Sequence, residues 1–231
     1  MIEWELGWWR YLNMQAGNFP DPFSIIVFLI LISLAPFMAV MVTSFIKLVV
    51  VLYLIRNALG IQQIPPNMVL NGLALILTIY VMAPVGQEAF DTLRNEDLSK
   101  RDLPTLTKAA EKVKVPFQNF LIKHSQERER LFFVKSAKAL WPERQAKEVK
   151  FDDLLILIPS FTVSELTSAF QIGLLLYLPF IAIDLIVSNI LLAMGMMMVS
   201  PMTISLPFKL LLFVLLDGWA RLIHGLVLTY R

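Results

Sequence analysis

The block LLILIPSFTVSELTSAFQIGLLLYLPFIAIDLIVSNILLAMGMMMVSPMTISLPFKLLLFVLLDGW, residues 154–219, is apolar enough for a membrane yet is punctuated by prolines and charges. Two uncharged runs inside it, 166–183 and 185–208, approach or exceed the length a helix needs to cross a hydrocarbon layer of about 30 Å at about 1.5 Å per residue. Pro179, Pro201 and Pro207 interrupt these runs and are read as helix breaks, while Glu165, Asp184, Lys209 and Asp217 bound them. An uncompensated Asp, Lys or Arg at mid-membrane costs about 2.5–3.5 kcal/mol, so these charges need partners. A short chain with so many groups to satisfy is expected to be one subunit of a larger membrane assembly.

Composition agrees with that class. The chain of 231 residues is 57% hydrophobic and only 16% charged, against roughly 25% charged in soluble domains. A formal net charge of +2 offers no basic stripe for a nucleic-acid partner. Zero cysteines excludes disulfides and thiolate chemistry and leaves the redox compartment open.

Working outward, four segments emerge. Residues 1–22 carry Trp4, Trp8, Trp9 and Tyr11, residue types that settle at a membrane boundary or pack against a neighbouring subunit. This start has Glu3 and Glu5 in place of the basic opening of a signal peptide. Residues 23–86 hold a first hydrophobic helical pair. Its first member runs without charge to Lys47, with Pro36 as a bend and Lys47 and Arg56 compatible with a cytoplasmic end; its second covers 68–85. Residues 87–153 hold 26 of the chain's 38 Asp, Glu, Lys and Arg residues, 12 acidic and 14 basic, and are expected as a water-exposed helical insert. Apolar positions at helical spacing place helices over 103–115 and 117–141, punctuated by Pro104, Pro116 and Pro142. The run 127–130, alternating Glu and Arg, reads as a solvated helix face. Residues 154–231 form the broken C-terminal block. The fold class is therefore all-α, of integral-membrane type, with broken hydrophobic helices and a small polar insert.

No catalytic constellation is present in the sequence. His124 and His224 lack metal-ligand spacing, Ser164-Glu165 has no neighbouring base, and there is no phosphate-binding loop, so neither enzyme activity nor a cofactor or metal is expected. Met194, Met196, Met197 and Met198 around Gly195 would suit copper(I), but no cysteine or histidine accompanies them. Two readings stand for the cluster: flexible filler in a helix interface, or a deformable seal whose thioether chains repack around variable cargo.

Two sets of words then resemble a family. Ser44-Phe45-Ile46-Lys47 followed by LIRNALGIQQIPPN at 54–67 is similar to the first signature of the FliP/SctR family of type III secretion export-apparatus proteins. Val163-Ser164-Glu165-Leu166, Ala169-Phe170-Gln171-Ile172-Gly173, Leu178-Pro179-Phe180, Asp184-Leu185, Met194-Gly195-Met196-Met197-Met198, Ser205-Leu206-Pro207-Phe208-Lys209 and Asp217-Gly218-Trp219 follow its second signature in order. The resemblance is nearer the injectisome branch, because the flagellar branch commonly opens with a signal sequence.

The resemblance implies a pore-forming subunit for unfolded secreted proteins at the bacterial inner membrane. It implies a ring, pentameric in the family, joined by small hydrophobic S-type and T-type subunits and bounded by lipid. The polar insert would then lie on the periplasmic side. Met194, Gly195, Met196, Met197 and Met198 would narrow the pore. Lys47, Arg56, Glu165, Asp184, Lys209 and Asp217 would be assembly charges, easier to hold in a protein interface or wet lumen than in lipid. The competing readings are a secondary transporter of ions or small solutes, built on broken helices with buried carboxylates, and a non-conducting membrane scaffold.

Overall fold

The computed structural model describes residues 22–61, 63–94 and 103–231, and every structural statement below concerns these; the N-terminal aromatic cluster of Trp4, Trp8, Trp9 and Tyr11 lies outside them. The chain divides into two units, residues Met1–Ala39 and Val40–Arg231. Among the described residues all regular structure is helical, as expected. The helices are α1 (Pro22–Met41), α2 (Phe45–Ala58), α3 (Asn67–Arg94), α4 (Leu103–His124), α5 (Glu127–Leu140), α6 (Glu143–Glu148), α7 (Leu154–Ala193), α8 (Pro201–Leu215) and α9 (Gly218–Leu228). Helices α3 and α7 are long and apolar enough to cross a membrane. Four such spans result if the bent pair α8 and α9, and the pair formed by the end of α1 with α2, each count as one.

Helix α7 organises the second unit. It runs 40 residues without interruption, about 60 Å at 1.5 Å per residue, twice the hydrocarbon thickness. Its first turns bury Ile156, Leu157 and Phe161 against Phe120 and Leu121 of α4 and Val134 and Ala137 of α5. Its middle carries Glu165, Ala169 and Gly173 at four-residue spacing, one helical face, and this face meets α2. Its last turns bury Phe180, Val187 and Leu191. The main core joins Leu48, Val51, Leu52 and Ile55 of α2 to Leu70, Ala74 and Leu77 of α3, Phe213 of α8 and Leu222 and Leu226 of α9. Each fully buried aliphatic or aromatic side chain of this kind stabilises by about 1.5–3 kcal/mol relative to an exposed one.

Two of the three expected helix breaks are corrected by the structure. Pro179 lies inside α7 and Pro207 inside α8, and both helices continue through them. Each proline removes one backbone donor, but flanking turns remain bonded and packed, as in other apolar helices where neighbours support the freed carbonyl. Pro201 marks a true boundary because it opens α8, where its missing N–H has no intrahelical partner to lose. Asp184, read as bounding a run, sits inside α7, with its carboxylate held by Ser205 and Lys209. In the insert, α4 passes through Pro116 to His124, and the chain turns instead at Ser125-Gln126. The backbone N–H of Gln126 donates to Ser164 Oγ of α7 at 2.9 Å, which fixes that turn. Helix α3 runs past residue 86 to Arg94, so the second hydrophobic helix and the start of the polar insert are one element.

The contact between α2 and α7 depends on a missing side chain. A Cβ at Gly173 would lie 2.2 Å from Leu54 Cδ1 and 3.2 Å from Leu54 Cβ. The terminal methyl can swing aside; the Cβ is fixed to the backbone of α2. Gly173→Val is therefore expected to lower the stability of the detergent-solubilised chain by about 1–3 kcal/mol through overpacking. Gly72→Ala, where nothing lies within 4 Å, is expected to leave it unchanged or raise it by up to about 1 kcal/mol. Denaturant titration of the two variants beside the parent checks both signs.

Candidate functional site

Two buried charge clusters bracket α2. At its start, Lys47 Nζ lies 2.8 Å from Glu165 Oε1 of α7, with side-chain exposures of 5% and 2%. The Tyr230 hydroxyl donates to Glu165 Oε2, so both carboxylate oxygens are engaged, and the Lys47 ammonium sits 4.0 Å from the centroid of the Tyr230 ring. A cation over an aromatic face gains from the ring quadrupole, most where water is excluded. Phe120, Phe161 and His124 close around Tyr230: ring centroids lie 6.2 Å from Phe120 and 5.0 Å from His124, with Phe120 and Phe161 5.7 Å apart.

At the end of α2, Lys209 Nζ of α8 donates to Asp184 Oδ2 at 2.6 Å and to the carbonyl of Ala58 at 3.2 Å. Ser205 Oγ, one turn before Lys209, donates to Asp184 Oδ1 at 2.5 Å. Lys209 is buried, while Asp184 keeps 31% of its side chain exposed. The last carbonyls of a helix lack intrahelical partners and carry partial negative charge, so a buried ammonium there satisfies both α2 and Asp184.

Arg56 closes the connector between α2 and α3. Its Nη1 donates to Asn67 Oδ1 at 2.6 Å and to the Pro65 carbonyl at 3.3 Å, and its guanidinium stands 5.0 Å from the Tyr53 ring centroid. The Tyr53 hydroxyl in turn donates to Asn71 Oδ1 at 2.6 Å. Five of the six charges named from sequence thus have partners within this chain. The sixth, Asp217, is exposed on the isolated chain and adopts a left-handed conformation (φ 50°) ahead of α9. Its position follows from the sharp turn between α8 and α9, bent by 62°. Lys47, weighed from sequence as a topological marker, is paired inside the protein and not presented to headgroups.

The methionine loop is a separate feature at the far end of α7. Met196 N–H donates to the Leu191 carbonyl at 2.9 Å and Gly195 N–H to that of Leu192 at 3.0 Å. With Gly195 at φ 73°, this is the paired-bond helix stop that favours glycine. Gly195 is thus a defined helix terminator. Beyond it the side chains of Met194, Met196, Met197 and Met198 are exposed, Met198 completely. The nearby apolar groove between α7 and α8 encloses about 380 Å³ and is lined by Ile183, Ile186, Val187, Ile190, Ile204 and Phe208, among others.

Sequence reading missed several members of these clusters. Tyr230 carries no local motif and His124 was weighed only as a metal ligand; tertiary proximity alone recruits them, as it brings Ser205 of the signature run 205–209 onto Asp184. Ser160 and Ser164 are buried, and each hydroxyl donates one turn back along α7, to the carbonyls of Ile156 and Ser160. The four-residue spacing of Ser160 and Ser164 beside the Glu165 face was the available signal.

Comparison with known proteins identifies relatives over nearly the whole chain. The FliP family matches residues 28–226. The chain is 58% identical over 211 residues to the Yop proteins translocation protein R of Yersinia pestis, covering 91% of this chain and 97% of that one. It is 52% identical over 210 residues to the hypersensitivity response secretion protein HrcR of Ralstonia nicotianae, covering 90% and 97%. It is 51% identical over 215 residues to the virulence protein YscR of Salmonella typhimurium, covering 92% and 99%. The resemblance carried by the two signatures is the relationship these comparisons find.

Removing one member of a buried ion pair leaves the other unpaired, whereas replacing both by apolar groups of similar volume is far milder. Glu165→Ala is expected to destabilise the isolated chain by about 3–5 kcal/mol, and the double variant Lys47→Met with Glu165→Leu by clearly less than the sum of its singles. Asp217→Asn, exposed and tolerant of the left-handed conformation, is expected to stay within about 0.5 kcal/mol. A double-mutant cycle by chemical unfolding in detergent measures all three.

Proposed function

The chain belongs to the FliP family, and from that membership and its geometry we propose that it is a pore-forming core subunit of the type III secretion export apparatus. In this reading it lines a channel for unfolded substrate proteins at the bacterial inner membrane. It acts as a ring of copies, pentameric as the family resemblance implies, with small hydrophobic S-type and T-type partners. The relatives named for translocation and for secretion support the apparatus. The observation that carries the pore is the loop at 194–198: a run of methionines left exposed beyond a rigid helix stop, on the longest helix of the chain.

The physical logic is that of a gasket. A ring of apolar side chains dewets a narrow passage and so blocks ions, while unbranched thioether chains repack around a passing polypeptide at little loss. Assembly draws on the uncovered apolar faces, including Ile76 and Ile79 of α3 and Phe170, Leu174 and Leu178 of α7. The charge clusters act one step earlier, by holding each copy in the shape that presents those faces. Transport of ions or small solutes through a carboxylate site is disfavoured, because both oxygens of Glu165 and of Asp184 are already bonded to the chain's own donors. In this reading the polar insert lies on the periplasmic side, as the family resemblance implies, and energy for transport comes from other components.

Deleting Met196, Met197 and Met198 from the chain expressed with its partner subunits is expected to leave assembly intact and make the membrane leak small solutes and ions. Dye efflux and single-channel conductance report the leak, and native mass spectrometry reports assembly. An assembled deletion variant with parental conductance would mean that the methionines are filler.

A further inference from the structure

His124 is the last residue of α4 and the one titratable ring in the aromatic cluster around Tyr230. Its centroid lies 4.7 Å from that of Phe120 and 5.0 Å from that of Tyr230. Through Tyr230 it adjoins the Lys47–Glu165 pair, so one imidazole touches the group that joins α2, α7 and the C-terminal tail. The charges that act on it are Lys47 from α2 and Lys123 on its own helix; Glu165 from α7 lies behind Tyr230, and Arg130 of α5 donates from Nη1 to the Ile122 carbonyl, two residues away in sequence, at 3.2 Å. Both oxygens of Glu165 are occupied by Lys47 and Tyr230. A proton arriving on His124 therefore meets the Lys47 and Lys123 charges and no uncommitted carboxylate among the groups named.

We propose that His124 is an acid-sensitive latch: neutral, it packs the end of α4 onto the Tyr230 cluster, and protonated, it releases α4 from α3 and α7, the helices it packs against. The proposal concerns regulation of the chain's conformation and stands independently of whether the chain lines a pore. Burial first, and then the Lys47 and Lys123 charges, push the His124 imidazole down from its ordinary value of 6.5 to about 4. A released imidazole binds a proton below about 6.5 while the latched one does not until about 4. The latched state is therefore fully favoured above 6.5 and loses ground as pH falls through that window.

Amide hydrogen exchange over residues 117–124 of the full chain in nanodiscs, corrected for the pH dependence of intrinsic exchange, tests the latch between pH 7 and 5. One proton linked to opening predicts that protection falls below pH 6.5 by up to about tenfold per pH unit. His124→Gln and His124→Asn, neutral at every pH, are expected to show flat protection, and either suffices if the other fails to fold. Imidazole NMR of the unsubstituted His124, with the exposed His224 removed by His224→Gln to assign the signal, should show titration well below 6.5. Flat protection in the parent, an equal fall in the neutral variants, or an imidazole titrating at or above 6.5 would each overturn the proposal.

Discussion

The buried contact between Lys47 and Glu165 constrains everything around it. Two charges held with side-chain exposures of 5% and 2% survive only with complete partners, because desolvation of each ion costs several kcal/mol. Completeness here requires three separate parts of the sequence: the first turn of α2, the middle of α7 and the C-terminal Tyr230. A register slip of either helix would strand a charge. The pair thus selects one alignment of α2 on α7, and the close approach at Gly173 two turns further on is possible only in that alignment. The second cluster, Lys209 with Asp184, Ser205 and the Ala58 carbonyl, repeats the logic at the other end of α2.

With both ends of α2 fixed, α7 serves as a beam along which different partners are distributed. Its first turns hold the insert through apolar packing and the Ser164 bond to the α4–α5 turn. Its middle holds α2, and its last turns support α8 before the glycine stop releases the methionine loop. One helix of this length spans from the insert to the methionine loop. That continuity links the latch at His124, the ion pair and the loop at 194–198 to a single helix.

The helical class and the span-like segments were legible in the sequence, and Glu165, Asp184, Lys209 and the methionines stood out there, because each is a local signal: apolar length, a charge in an apolar run, a repeated residue. The pairing of those charges was not legible. Lys47 and Glu165 are 118 positions apart, and nothing in either neighbourhood names the other, so an apparent shortage of partners suggested that other subunits would supply them. Proline misled in the opposite direction. Pro116, Pro179 and Pro207 are strong local breakers in water, but in helices packed along much of their length one absent hydrogen bond is outweighed by the contacts that continuation preserves. Gly195 was visible as a special position, yet only the two bonds from residues 195 and 196 distinguish a helix stop from a hinge.

The central claim is that a continuous α7 presents the methionine loop to the axis of an assembly. A density map of the complex purified with its partner subunits from native membranes tests it most directly. The account predicts an uninterrupted α7 in every copy and a single axial constriction formed by residues 194–198 of all of them. A constriction built from other residues, or methionine loops facing lipid at the perimeter, would contradict it.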